Sequence, residues 1–546
     1  MANAIHDLTK LLTRLPLEAQ ALITMARAGL MTPESPLRLL QIAQAFEHYG
    51  AYGAAIRIAA LRDGDRPGVV DDLGVLTFAE LDRRSNALAN ALRDLGIRAG
   101  DGVGILCRNH RGILDAIFAA AKAGAKAVML NTDFAGPQAK AACDREGVKF
   151  LVYDQEFEHV SADVQAPLGR LIAWADGEID VPTTESLIAT GDGRPPTAPE
   201  RPGTVVILTS GTTGTPKGAT REVNRSLLAP GALLGKVPFR RGEATFVAPP
   251  VFHALGLATT LFSIALSSTV VLRRRFDADV VLRATANQSC SALILVPSML
   301  DRLLGLGKER IDEFDLSALR IIFSSGSQLT GAVASQAMDV FGDVVYNLYG
   351  STEVAYVAIA TPDDLKAAPG TVGRPPLGVT VRIYDEKGHS LPQGTTGRIF
   401  VRNGEEFSGY TGGGSKEILE GFMSTGDVGH FDEAERLFVE GRDDDMIVSG
   451  GENVFPGEVE DLLTAHEAIH EAAAVGVPDD ALGQRLRAFV VLNSGAHLDA
   501  DEVKAHVNRN LSRFKTPRDV IFLETLPRNA AGKVLKQQLI EMDADE

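Results

Sequence analysis

The chain has 546 residues, 45% hydrophobic and 23% charged, with a formal net charge of −17. It is too long for one hydrophobic core and should divide into two or more domains. Its composition is that of an ordinary globular protein, and its negative charge argues against a general binder of nucleic acid or of anionic membranes. Cys107, Cys143 and Cys290 lie far apart in apolar or helical contexts, without metal-like spacing, and read as buried thiols in a reducing compartment. The N-terminus carries Asp7 and lacks a continuous apolar h-region, so it does not read as a signal peptide, and a cytoplasmic location is expected.

Apolar residues at helical spacing (Ile5, Leu8, Leu12, Leu15, Leu22, Met25) run through the first fifty residues, where Pro16 and Pro33 are expected to divide the helices. Docking on the main domain is favoured over a peripheral membrane contact, because basic residues are too sparse for a strong interfacial helix. From Pro67 strands and helices alternate, which implies parallel sheets. The helix opened by Thr77-Phe78-Ala79-Glu80-Leu81 is followed by a strand over 102–107, a helix over 112–123 and strands over 126–130 and 149–153. After a Gly/Pro-rich connection at 190–202, a second series places strands near 204–208, 244–247, 292–296, 319–323 and 344–348. Residues 251–272 are long enough to span a bilayer. However, Gly256, Ser263, Ser267, Ser268 and Thr269 interrupt them and Arg273-Arg274-Arg275 closes them, so a buried helix, a turn and a strand are expected. Between 369 and 440 short alternating segments suggest a small antiparallel barrel or sheet, and the last hundred residues form an α+β pattern.

The densest chemistry lies in Thr209-Ser210-Gly211-Thr212-Thr213-Gly214-Thr215-Pro216-Lys217-Gly218, after the apolar run 204–208. Glycines let backbone N–H groups approach an anion, hydroxyls donate to phosphate oxygens, and Lys217 adds a mobile charge. A Walker A loop needs a helix continuing from its lysine. Pro216 and Gly218 discourage one here. Ser325-Gly326-Ser327 and Asn347-Leu348-Tyr349-Gly350-Ser351-Thr352-Glu353 each follow a strand, where open parallel sheets bind ligands. Tyr349 can stack on a purine and Asn347 can offer an amide oxygen to an exocyclic amine. Glu353 supplies a hard oxygen for Mg²⁺ and Thr352 a hydroxyl for a phosphate. Read alone, Tyr-Gly-Ser-Thr-Glu could equally be a turn before a capped helix.

Together with Thr425-Gly426-Asp427, Gly441-Arg442, Gly450-Gly451-Glu452 and Gly532-Lys533, these motifs resemble, in order, those of the adenylate-forming superfamily, in particular its acyl-CoA synthetases. The resemblance runs from about Pro67 to Lys536. It implies an α/β fold with a large N-terminal domain of two parallel-rich α/β subdomains plus a small β-barrel, and a smaller mobile α+β C-terminal lid domain. The expected divisions are a helical extension at 1–50, an AMP-binding domain at 51–442 and a lid at 443–546, with Asp444 at the pivot. It implies that His253 lines the carboxylate pocket, Asp427 binds the ribose hydroxyls, Arg442 reaches the ribose or phosphates, and Gly450, Gly451 and Glu452 sit where the CoA arm passes. Lys533 is the implied catalytic lysine. Substrates and cofactors would be ATP, Mg²⁺, coenzyme A and a carboxylic acid, with the apolar stretches 254–266 and 292–300 suggesting a medium- or long-chain fatty acid or an aromatic one. A ligase loading a carrier protein, a luciferase-like monooxygenase and a non-catalytic nucleotide sensor are the alternatives; the sensor should have lost Lys533 or Glu353, and both are present.

Overall fold

A computed structural model describes residues 2–177, 179–209, 217–221, 226–404, 407–410, 415–443, 447–449, 452–454, 456–479, 483–511, 515–529 and 532–542. The chain separates into two compact units, one comprising Met1–Leu295, Leu306–Phe323 and Glu405–Ser415, the other Val296–Gly305, Ser324–Gly404 and Lys416–Glu546.

The first unit is built on parallel strands. In one sheet the order is Phe407–Tyr410, Lys217–Arg221, Thr204–Thr209, Lys126–Met129, Gly102–Leu106, Val148–Asp154 and Arg170–Trp174. The last five run parallel and the first two add antiparallel at the edge. Leu106, Val128, Leu151, Phe157 and Val206 are buried in one cluster on this sheet. A second sheet joins Ala292–Leu295, Ala244–Val247, Thr269–Val271 and Pro67–Asp71 in parallel, with Gly74–Thr77 as an antiparallel edge. The apolar stretch that follows His253 is the helix Ala254–Ala265, a turn, and the strand Thr269–Val271, as its interruptions imply. Among the described residues no helix is long and apolar enough to cross a membrane.

Thr77 and Glu80 close a reciprocal cap on the helix Phe78–Asp94, satisfying two orphan N–H groups. That helix packs on Arg111–Lys122 through buried ions: Lys122 Nζ lies 2.7 Å from Asp82 Oδ1, and Arg84 Nη2 2.7 Å from Asp115 Oδ2. Buried pairs contribute little net stability, but removing one partner strands the other charge.

The N-terminal helices dock on this unit, Ala21 lying against Gly231 of the helix Leu228–Lys236. Pro33 falls between helices as expected. Pro16 does not divide them, because the helix Ala2–Ala28 runs through it. A mid-helix proline costs about 3 kcal/mol, which burial of Ala21 and Met25 and the hydrogen bonds of Glu18 to Ser226 and Leu227 offset. The next helix, Pro36–Asp63, kinks at Gly50 (φ 64°).

In the second unit Thr380–Tyr384, Gly397–Arg402, Phe422–Phe431 and Ile418–Leu419 form an antiparallel sheet with Leu437–Arg442. Val345–Tyr349 and Ala358–Ala360 pair antiparallel. The C-terminal sheet has the order Glu452–Val454, Ile447–Ser449, Gly483–Leu492, Ile469–Asp479, and Asp519–Phe522 joins Gly483–Leu492 in parallel. Alternate residues of its central strand feed two cores. Ala488 and Val490 pack with Val459, Leu463, Val503 and Val507, while Phe489 and Val491 pack with Leu526 and Leu539.

The cysteines are buried, and burial pushes the Cys143 and Cys290 thiols up to about 12. The expectation that they make no metal-like group needs one correction. Pairing of Val148–Asp154 with Gly102–Leu106 gathers Cys107, His110 and Asp154, whose ligand atoms lie within 4.8 Å of one another. Linear spacing could not show this. Both His110 nitrogens are already engaged, Nε2 with Asp154 Oδ1 at 2.8 Å and Nδ1 accepting from Gly112 N–H at 3.0 Å, so the group serves as a helix cap.

Candidate active site

In the first unit Thr209 ends its strand directly opposite Lys217, which opens the antiparallel strand Lys217–Arg221. Lys217 therefore opens a strand and not a helix, in agreement with the argument from Pro216. Ser210, Gly211, Thr212, Thr213 and Gly214 lie outside the described residues.

His253 stands at the N-terminus of the helix Ala254–Ala265, its N–H donating to Pro250 O at 3.0 Å. The turn before it is gripped by Asn109, whose Nδ2 donates to Pro249 O at 2.9 Å and whose Oδ1 accepts from Val251 N–H at 2.8 Å. The His253 ring lies against Phe252, centroids 4.5 Å apart. Its Nε2 is buried with no hydrogen-bond partner among the described residues. Burial lowers its pKa to about 4, so the ring is neutral near pH 7 and keeps one polar atom for a ligand. Sequence reasoning missed Asn109. Its only signal was its position just past a buried strand, where α/β sheets place ligand-side groups.

The second unit carries a cluster of acid, phenol and guanidinium. The Tyr349 hydroxyl donates to Asp427 Oδ2 at 2.5 Å, and Arg442 Nη1 donates to Oδ1 at 3.3 Å. Pairing of Phe422–Phe431 with Leu437–Arg442 sets Asp427 opposite Arg442. Thr425 Oγ1 accepts the Asp427 N–H at 3.1 Å and donates to Ile399 O at 3.0 Å, which fixes the bend. Burial raises the Asp427 carboxyl above the usual carboxylate range, against the opposing charges of Arg442 and Lys416. Burial, with the Asp427 charge, raises the Tyr349 phenol well above its usual value. Lys416, with Nζ 3.5 Å from Thr425 O, was also missed, for no motif marks it. On the strand with Tyr349, Asn347 is buried and its Oδ1 has no partner among the described residues. An unpaired buried amide oxygen costs about 1–3 kcal/mol, so a ligand N–H is the natural partner.

Gly350, Ser351, Thr352 and Glu353 form the turn between the paired strands Val345–Tyr349 and Ala358–Ala360, and no helix follows. A Cβ at Gly350 would lie 2.1 Å from Ala355 O, so only glycine fits. Ser351 Oγ–H donates to Glu353 Oε2 at 2.9 Å, and Asn403 Nδ2 holds the far side through Val354 O at 2.6 Å and Tyr356 O at 2.8 Å. Gly326 (φ 98°) and Ser327 follow the strand Ile321–Ser324.

Lys533 is exposed on a tight loop. Asn529 accepts the Lys533 N–H with its side chain at 2.9 Å and the Gly532 N–H with its carbonyl at 2.8 Å. Gly532 has φ 76°, and a Cβ there would come 2.2 Å from Ser298 Oγ. No described contact joins Lys533 to the Tyr349–Asp427–Arg442 cluster. Glu452 opens the strand Glu452–Val454, whereas Asp444, Gly450 and Gly451 lie outside the described residues.

The parallel strands and the C-terminal sheet define an α/β protein. Residues 56–411 match the profile described as AMP-binding enzyme, and residues 458–533 that of the AMP-binding enzyme C-terminal domain; the chain belongs to the AMP-binding enzyme family. It is similar to a feruloyl-CoA synthase from Amycolatopsis sp (33% identical, 85% of this chain and 93% of that one). It is also similar to an indoleacetate–CoA ligase from Aromatoleum aromaticum (32% identical, 86% and 93%). Among solved structures, ATP-bound MatB from Rhodopseudomonas palustris superposes with a TM-score of 0.80 at 28% identity, over 90% of this chain and 98% of that one.

Proposed function

We propose that this protein is an ATP-dependent acid–thiol ligase that activates an aromatic carboxylic acid as its acyl-AMP and passes the acyl group to coenzyme A. The observation that carries the nucleotide half is the buried Asn347 Oδ1, without a partner among the described residues, on the strand that ends in Tyr349, itself bonded to Asp427. That is a base acceptor beside an aromatic face and a carboxylate suited to two ribose hydroxyls. The aromatic acid is supported by the two relatives above, whose names are those of CoA ligases for aryl acids. The fatty-acid expectation rests on apolar stretches that would line either kind of pocket.

On this reading Thr209, Lys217 and the residues between them hold the β,γ-phosphates, and Thr352 donates to the α-phosphate. Glu353, an oxygen donor already oriented by Ser351, suits Mg²⁺, which would neutralise phosphate charge when bound. His253, neutral, orients the acid through Nε2. A carboxylate oxygen attacks the α-phosphorus, the bond to the bridging oxygen breaks, and pyrophosphate leaves. Lys533 stabilises the charge on the five-coordinate centre. The region 443–546 then turns about Asp444 as a lid, withdrawing Lys533 and presenting residues 450–452, and the CoA thiolate displaces AMP. Residues 1–50 are a docked helical extension of the 51–442 domain.

Release of AMP, measured with ATP, Mg²⁺ and CoA over a panel of cinnamic, indoleacetic, benzoic and medium- and long-chain fatty acids, tests the proposal. Turnover of aryl acids with formation of their CoA thioesters is expected. Turnover confined to fatty acids would refute the substrate class, and AMP release indifferent to CoA would refute the acceptor.

A further inference from the structure

The second unit contains a cavity of about 360 Å³ that the proposed reaction does not use. Asp301, on the helix Pro297–Leu304, and His470 and Glu471, on the strand Ile469–Asp479, line it together with Arg528 and Gly532. One ligand atom from each of the three lies within 4.8 Å of the other two. Consecutive strand residues ordinarily face opposite sides of a sheet. Here the pairing skips, Ile469 lying opposite Leu492 and Glu471 opposite Val491, and this bulge re-aims one side chain so that both converge on Asp301.

We propose that Asp301, His470 and Glu471 bind a divalent transition-metal ion, with zinc the type case, tying the strand to the helix. Asp301 Oδ2 and His470 Nε2 are 3.6 Å apart. That is too long for a hydrogen bond, but it matches two donors sharing a cation at about 2.1 Å each with an angle near ~118°. The Asp301 carboxyl has no other ion pair among the described residues, so a cation fits it well. Glu471 now pairs with Arg528 Nη2 at 2.6 Å. Its second oxygen completes the set by a side-chain rotation, and water takes the remaining positions. An imidazole with two carboxylates suits zinc, cobalt or nickel better than Mg²⁺. The Arg528 charge works against the ion and makes this a reversible site. A bound ion would hold Gly532, and with it the Lys533 loop, against Ser298.

Zinc titration calorimetry on the full-length, metal-stripped protein, without nucleotide, tests the site. One zinc is expected per chain, with affinity falling by at least about 10-fold, the loss that even outer-shell changes produce, in both His470→Gln and Asp301→Asn. His470 is exposed, so its variant should fold and melt as the wild type does without zinc. Amide exchange should slow in Ile469–Asp479 and Pro297–Leu304 on adding zinc to the wild type only. Undiminished binding in both variants, or protection confined to the Cys107–His110–Asp154 region, would overturn the proposal.

Discussion

Lys533 makes no ion pair among the described residues and projects from a loop whose backbone Asn529 fixes, as suits a charge meant for a ligand. Lys533→Ala is expected to slow adenylation, read as acid-dependent pyrophosphate release, by roughly 10²–10³-fold, the scale of removing one electrostatic stabiliser. Thioester formation from supplied acyl-AMP should largely persist; unimpaired pyrophosphate release would remove the lysine from the mechanism. Tyr349→Phe keeps the ring but takes the donor from Asp427, and should raise the KM for ATP about tenfold, the value of one hydrogen bond to a charged group. His253 gives a pH prediction. Its folded pKa of about 4 lies below the ordinary 6.5, so between those values the unfolded chain binds the extra proton and stability falls as pH drops. His253→Phe should therefore lose less thermal stability than the wild type between pH 6.5 and 4. A parallel decline would show that His253 is not held neutral. At this scale the residue types of Tyr349, Asp427 and Lys533 were legible because each sits in a short motif with a stated chemistry. Asn109, Lys416 and Asn403 were not, since each acts through a backbone group brought near by the fold.

Strand and helix positions were read well where a buried strand gives a continuous apolar run and a helix a periodic one. The strands at 102–106, 244–247 and 292–295 and the capped helix at 78–94 are cases of this. Pairing order was not legible. Nothing in the composition of Thr204–Thr209 says that its parallel neighbour is Lys126–Met129, nor does the run of Ile469–Asp479 announce a bulge. Pro16 failed as a breaker because tertiary burial overrode local propensity. The lysine loop shows how an element can need one residue for two reasons. Gly532 has a left-handed backbone, which costs other residues about 1–2 kcal/mol, and it leaves no room for a Cβ beside Ser298. Gly532→Ala should displace Lys533 and lower acid-dependent pyrophosphate release about tenfold by that strain, with little change in the melting temperature of the whole protein. Full activity would mean that the loop's present conformation is not the catalytic one.

At the scale of the molecule, the family's second profile, residues 458–533, lies within the region that builds the C-terminal sheet. The C-terminal sheet is self-sufficient in the sense that matters for folding. Its central strand Gly483–Leu492 has partners on both sides, and alternate residues fill a separate core on each face. A five-stranded sheet covered on both faces within about 100 residues has the size and burial of an autonomous domain. Residues 443–546 expressed alone are therefore expected to unfold cooperatively on heating, with a mixed helix and strand circular dichroism spectrum. The complementary chain, 1–442, should still bind ATP through Asn347, Tyr349, Asp427 and Arg442, because the contacts among them need nothing beyond residue 442. It should form no acyl-AMP, having lost Lys533. Adding the two pieces together in excess should restore little activity, since tethering supplies an effective concentration in the millimolar range that free pieces lack. If 443–546 melts without a transition, or if 1–442 adenylates an acid by itself, the division of labour between a binding domain and a catalytic lid is wrong.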